Sequence, residues 1–271
     1  PLIASGPPFS PIATSVALAA RAYDYWLGGK DNFAADRALG DAMIRAIPTL
    51  PSMARANRAY LSRAVRHLVT GLGIRQFLDI GPGIPTAGMT HEVAQEIAPE
   101  SRVLYVDHDP LVLTHARALM NSSSIGQTEF IMADVQQPQK ILADPALPRT
   151  LDLDQPVALL FVATLMYFHD HEDPQGMVDA LLGALPSGSY LVVTHPTGDF
   201  DPEAVQSAVD AATAAGITLV PRSREGVASF FTGLELVEPG VVPLLAWQPD
   251  DSIAGEDPES VWYYAGVGRK P

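Results

Sequence analysis

The chain has 271 residues, 47% hydrophobic and 18% charged, enough apolar material for one compact core and too much for a disordered polypeptide. It contains no cysteine, which excludes a disulfide framework, a zinc ribbon and a cysteine nucleophile, and which suits a reducing compartment. A formal net charge of -14 opposes DNA and RNA at long range, so the expected partner is a small molecule or a protein and not a nucleic acid.

The first apolar stretch, Pro11 to Ala20, is too short to span a bilayer and has no basic segment before it. Neither a signal peptide nor a membrane partner is expected, and the protein reads as cytoplasmic. Residues 1–72 form an N-terminal helical lid or extension, and residues 73–271 form the core. In the lid, a helix starting after Pro51 carries Leu61, Ala64, Val65 and Leu68 on one face, with Arg55, Arg58, Arg63 and Arg66 mostly off it. Arg21 to Phe33 concentrates Tyr23, Tyr25, Trp26, Lys30 and Asn32 around Gly28 and Gly29. A closing lid would use these aromatics to exclude water, the glycines to bend, and Lys30 or Arg21 to bind a ligand carboxylate. The same aromatics also suit a satellite core with solvated charges. Asn57, four positions before Leu61, can cap the core or reach a ligand.

Five short apolar strands follow: Gln76 to Ile80, Arg102 to Val106, Glu129 to Met132, Val157 to Val162 and Tyr190 to Thr194. Helices over His91 to Ala98, Leu111 to Met120 and Gln175 to Leu185 separate them. Strands apolar on both faces and joined by helices predict a parallel sheet covered on both sides, a doubly wound α/β fold. After a helix over Glu203 to Ala215 and the segment Ser223 to Phe231, the runs Leu234 to Val242 and Val261 to Val267 flank an acidic loop. They predict an antiparallel strand pair at the sheet edge.

Directly after the first strand, Asp79-Ile80-Gly81-Pro82-Gly83 places two glycines where a ligand must approach the backbone closely. An ordinary tight turn is the plainer reading. Asp107 follows the second strand, 24 positions after Gly83, within reach of two ribose hydroxyls, with His108 beside it. Asp109, before Pro110, is better read as a helix cap. Asp134 follows the third strand and can accept from an adenine amino group, with Val135 and Ile84 lining the ring, or simply form a turn.

After the fourth strand, Tyr167, His169 and His171 are the nearest candidates for orienting or deprotonating an acceptor. His169-Asp170-His171-Glu172-Asp173 also suits a divalent ion, but acidic capping of the next helix explains it adequately, and no metal is assigned. His195 is an edge-of-site candidate or a partly buried turn residue. His67, His91 and His115 receive no chemistry.

These residues resemble the class I S-adenosylmethionine-dependent methyltransferases: the loop Asp79 to Gly83 looks like their first motif, and the terminal strand pair like their antiparallel ending. The resemblance implies a Rossmann-like fold and assigns Asp107 to the ribose and Asp134 to the adenine. The segments Tyr23 to Phe33, Ala54 to Arg58, His91 to Gln95 and Gly266 to Lys270 resemble a bacterial family of S-adenosyl methyltransferases of unresolved substrate, over almost the whole chain. Asp79 beside the loop independently favours this cofactor, because it would repel a pyrophosphate and attract a sulfonium or ammonium.

The expected reaction moves a methyl group to an acceptor, a small metabolite before a protein side chain, mainly by orientation and exclusion of water. Tyr167 and His169 are its catalytic candidates. The cofactor-binding set is Asp79, Gly81, Gly83, Asp107, His108, Asp134, Val135, Tyr23, Lys30, Asn32 and Asn57. The rival readings are a nicotinamide-dependent oxidoreductase, which calls for a third glycine where Thr86 stands, and a binding module without turnover. The sequence indicates no oligomeric state.

Overall fold

The computed structural model describes residues 14–119 and 122–271; Met120 and residues 1–13 of the expected elements lie outside them. Three helices precede the sheet: α1 (Ala19–Trp26), α2 (Ala34–Ala46) and α3 (Leu50–Thr70). Then come β1 (Gln76–Ile80), α4 (Thr90–Ile97), β2 (Arg102–Asp107), α5 (Pro110–Leu119) and β3 (Gln127–Met132). Two short helices, α6 (Pro138–Leu142) and α7 (Ala146–Thr150), lead to β4 (Ala158–Val162). The chain continues through α8 (Pro174–Gly183), β5 (Tyr190–Pro196), α9 (Pro202–Ala214) and α10 (Arg224–Ser229). It ends with β6 (Glu235–Leu236), β7 (Val242–Pro243) and β8 (Tyr263–Arg269).

Among the described residues these strands form one sheet in the order β3-β2-β1-β4-β5-β8-β6, with β7 also paired to β8. The first five strands are parallel, and β8 runs antiparallel to β5 and to both short strands. The antiparallel ending is therefore present with a different arrangement. The run expected as one strand over Leu234 to Val242 is broken by the turn at 237–241, and β8 sits inside the sheet, not at its margin. β3 also departs from expectation. As the opposite edge strand it is only half covered and leaves Met132 exposed, because no neighbour lies beyond it.

The two-residue pleat sorts side chains into two layers. Phe77, Val103, Tyr105, Leu160 and Val192 pack with α3, α4 and α9, whereas Leu78, Leu104, Leu159, Phe161 and Val193 pack with α7 and α8. The first cluster also includes Ala22 and Trp26 of α1 and Leu39 and Met43 of α2, so the N-terminal helices and the sheet share one hydrophobic core. The expected face of α3 is buried, but burial continues around it to Tyr60 and Arg63, because the segment after β7 packs on its far side. There the Arg63 guanidinium donates to the Leu244 carbonyl at 3.3 Å.

One carboxylate joins the starts of the first two helices. Asp36, fully buried, accepts the Leu18 N–H at 2.9 Å and the Phe33 N–H at 2.8 Å, the capping residues of α1 and α2. Asp36→Ala would leave two enclosed donors unpaired and is expected to destabilise the protein by about 1–3 kcal/mol, with Asp36→Asn falling between it and the wild type in urea denaturation.

Candidate active site

The carboxyl ends of the parallel strands open into a cavity of about 410 Å³, roofed by α1. This is where an open α/β sheet holds its ligand, because the chain departs to opposite faces on either side of β1. The lining contains Asp79, Gly81 and Gly83 from the first turn, Asp107 and His108 from the second, Asp134 and Val135 from the third and Tyr167 from the fourth. Tyr23 of α1 and Asn57 of α3 complete the sequence-derived residues that line it.

Gly81 has φ +69°, and a Cβ there would stand 2.8 Å from Cγ2 of Thr164. The Thr164 hydroxyl donates to the Ile80 carbonyl at 2.9 Å, so β1 and the turn after β4 meet at a point where only glycine fits. Asp107 at the end of β2 braces the other side of the loop. Its Oδ2 accepts the Gly83 N–H at 3.3 Å and its Oδ1 the Asp109 N–H at 3.0 Å. Asp109 caps α5 by accepting the Leu111 N–H at 2.8 Å. Asp134 Oδ1 accepts the Gln136 N–H at 2.9 Å, which shapes its turn into the cavity wall.

Asp79 shares the strand face of Phe77 and so points beneath α4, where it accepts the Thr90 hydroxyl at 2.7 Å. Burial raises its pKa to about 6, opposed by that hydrogen bond and by the Arg58 charge. Burial also raises the pKa of Asp107. Arg58 lines the cavity beside them; its guanidinium donates to the Thr86 hydroxyl at 2.7 Å, while its Nε is buried with no hydrogen-bond partner among the described residues. Arg58 belongs to the arginines mostly off the packing stripe and is not in the sequence-derived cofactor set. The available signal was its place directly after Asn57.

Lys30, Asn32 and His169 are not among the lining residues. Lys30 is exposed. Asn32 donates to Asp24 at 2.8 Å and to the Gly29 carbonyl at 3.0 Å, and accepts from Arg37 at 3.1 Å, so its amide holds the Gly28-Gly29 turn together. His169 is exposed and stacks on His171. His195, by contrast, is fully buried, with Nδ1 against the Pro196 carbonyl at 2.9 Å and Nε2 against Arg222 at 2.8 Å. Burial lowers its pKa to about 3, so the ring is neutral and both nitrogens are engaged. Tyr167 faces the cavity with its pKa pushed up by burial, then by Tyr23 and Asp107, and its phenol is protonated at neutral pH.

The sheet order, the glycine turn and the acids at the strand ends define a class I S-adenosylmethionine-dependent methyltransferase. The chain belongs to the S-adenosyl methyltransferase family, whose model matches residues 6–271. It is similar to a DUF574-family protein from Streptomyces avermitilis MA-4680, with 47% identity and TM-score 0.92 over 95% of this chain and 99% of that one. A candidate methyltransferase from Thermobifida fusca YX is 41% identical, with TM-score 0.88 over 95% of this chain and 96% of its own. Human N-acetylserotonin methyltransferase, at 15% identity and TM-score 0.51 over 92% of this chain and 70% of its own, shares the fold alone. Comparison with curated proteins gives no match.

Its cofactor is S-adenosylmethionine, and the cavity fits that group. Buried carboxylates suit the sulfonium and ammonium charges, and the Arg58 guanidinium in the lining suits the carboxylate. The family excludes the nicotinamide-dependent oxidoreductase.

Burial makes the ionisation of Asp79 a term in stability. Its folded pKa of about 6 exceeds the ordinary 3.8, so the apoprotein binds that proton more tightly folded than unfolded and loses stability as pH rises through about 6. Asp79→Asn is expected to flatten this part of the curve, removing a pH-dependent contribution of up to about 3 kcal/mol between roughly pH 4 and 7, read from urea midpoints.

Proposed function

We propose that the enzyme methylates a small molecule enclosed under the N-terminal helices, with residues 1–72 acting as a lid on a methyltransferase core of residues 73–271. The observation that carries this reading is a single cavity bringing Asp79, Gly81, Gly83, Asp107 and Asp134 under α1. Its roof of Leu18, Ala19, Ala20, Tyr23 and Leu27 suits a compact acceptor better than a polymer. The net charge of -14 disfavours nucleic acid as the acceptor. Among the described residues no helix is long and apolar enough to cross a membrane. A bacterial, cytoplasmic enzyme is the reading that agrees with the bacterial relatives and the cysteine-free sequence.

Bound S-adenosylmethionine supplies an electrophilic methyl group. In this proposal Asp107, with His108 at the rim, accepts from its ribose hydroxyls, and Asp134 and Val135 hold its adenine end. Gly81 and Gly83 let it approach the backbone, Asp79 faces its cationic centre, and Arg58, rather than Lys30, pairs with its carboxylate. Tyr167 orients the acceptor as a neutral phenol. Orientation and exclusion of water then supply most of the rate enhancement, because neither Tyr167 nor His195 is a ready base.

Isothermal titration tests the donor site. Micromolar binding of S-adenosylmethionine and S-adenosylhomocysteine, no binding of NAD, and a loss of at least about tenfold in Asp107→Ala are expected. Arg58→Leu should weaken both ligands by about 10- to 100-fold, yet leave 5′-methylthioadenosine, which has no carboxylate, within about twofold. Failure of folded wild-type protein to bind either methyl-donor ligand would sink the site assignment.

A further inference from the structure

A chain of four hydrogen bonds runs from the turn after β4, through β5 and α3, to α1 and back to α3. The Ala163 N–H donates to the Thr194 hydroxyl at 2.9 Å, and that hydroxyl to Asn57 Oδ1 at 2.8 Å. Asn57 Nδ2 donates to the Tyr23 hydroxyl at 3.0 Å, and Tyr23 to the Ala54 carbonyl at 3.0 Å. The two ends fix the direction of every proton between them. An amide N–H can only donate and a carbonyl can only accept, so each hydroxyl in the chain must do both, and the Asn57 side chain has one permitted orientation. A reversed Asn57 would present a donor to Thr194 and draw the Tyr23 proton away from Ala54.

Asn57 and Thr194 are buried, so each unmade bond would expose the full cost of an enclosed polar group. The chain also stabilises an unfavourable backbone. Ala163 has φ +55°, the left-handed region that a residue with a Cβ enters at a cost of about 1–3 kcal/mol. Its N–H is held by both the hydroxyl and the carbonyl of Thr194, at 2.9 and 3.2 Å. Ala163, Asn57 and Tyr23 all line the cavity, whereas Thr194 does not.

We propose that Thr194 is a positioning residue for the donor site. Through its hydroxyl it sets the left-handed turn at Ala163 on one wall of the cavity and, through Asn57, the place of Tyr23 in the roof. The proposal rests on the reading of this cavity as the donor site and extends it to a residue that touches no ligand. Tyr23 then serves as wall and tether, because its one proton is committed to Ala54.

The test is titration with S-adenosylhomocysteine together with thermal melts of the apoprotein. Thr194→Val, which removes only the hydroxyl function, is expected to weaken binding about tenfold, and Thr194→Ser to restore it to within about twofold of wild type. Binding by folded Thr194→Val within about twofold of wild type overturns the positioning role.

Asn57→Asp keeps the proposal falsifiable if Thr194→Val does not fold. A neutral carboxyl donates to Tyr23 as the amide does, whereas a carboxylate cannot, and the introduced group is buried, so its folded pKa lies above the unfolded one. The melting-temperature deficit against wild type is therefore small near about pH 5 and grows toward about pH 8, and S-adenosylhomocysteine affinity falls over the same interval. The charged and titratable groups around this site are Tyr23 on α1, Arg58 on α3, Asp79 on β1, Tyr167 after β4 and Tyr263 on β8. Burial raises the phenols of Tyr23, Tyr167 and Tyr263, which stay protonated across the interval, and the wild-type curve supplies the reference for Asp79. A pH-independent deficit with normal wild-type binding overturns the hydrogen-bond chain. Absence of S-adenosylhomocysteine binding in the wild type overturns the donor-site reading and the positioning role with it, whatever the melts show.

Discussion

Carboxylates buried at the ends of parallel strands are the constraint around which this protein is arranged. Removing such a group from water costs several kcal/mol unless donors or cations answer it. Asp79, Asp107 and Asp109 are all less than a tenth exposed. The Thr90 hydroxyl, the N–H groups of Gly83, Asp109 and Leu111, and the charges of Arg21 and Arg58 surround them. The answer is incomplete, since burial still dominates the raised pKa values of Asp79 and Asp107. A cationic ligand beside them would lower the cost that remains, which is the electrostatic basis of the proposed donor site.

The N-terminal helices are part of this arrangement and not an appendage to it. They share a hydrophobic cluster with one face of the sheet, and the Asp36 carboxylate binds the starts of α1 and α2 together. Nonpolar packing is tolerant of small displacements, whereas hydrogen bonds are directional and enforce register. The relay from Ala163 to Tyr23 therefore specifies the height of the roof more sharply than the surrounding apolar contacts do. It crosses elements 137 residues apart in sequence between Asn57 and Thr194, so the N-terminal helices and the sheet must both be folded before it exists.

The parts of the site that could be read from the sequence are those carried by a strand end. Asp79, Gly81 and Gly83 lie within five residues of one another, and Asp107 and Asp134 follow their strands directly. In a parallel sheet every such position arrives at the same edge. Residues on the N-terminal helices obey no comparable rule. Lys30 and Asn32 stand in the same aromatic segment as Tyr23, yet the turn around Asp24 directs Asn32 into bonds within that segment and leaves Lys30 exposed, while Tyr23 lines the cavity. The His169 to Asp173 run was ambiguous for the same reason: composition suggested ligation, while the folded turn uses Asp173 to accept the Gly176 N–H at the start of α8.

By itself the sequence determined the five parallel strands, the helices α4, α5, α8 and α9 beside them, the presence of an antiparallel ending and the glycine loop with its acids. These follow from short-range periodicity, from steric rules that act between neighbours, and from crossover handedness. Only the tertiary structure decided that Arg58 lines the cavity, that His195 is a buried neutral ring, and that Asn57 is bonded to both Tyr23 and Thr194. Each of those outcomes depends on which face of a helix or strand meets a distant element, and on how much water that meeting removes. Helical spacing offers several faces of α3 for burial; the sheet, the roof and the segment after β7 select among them by packing against it together.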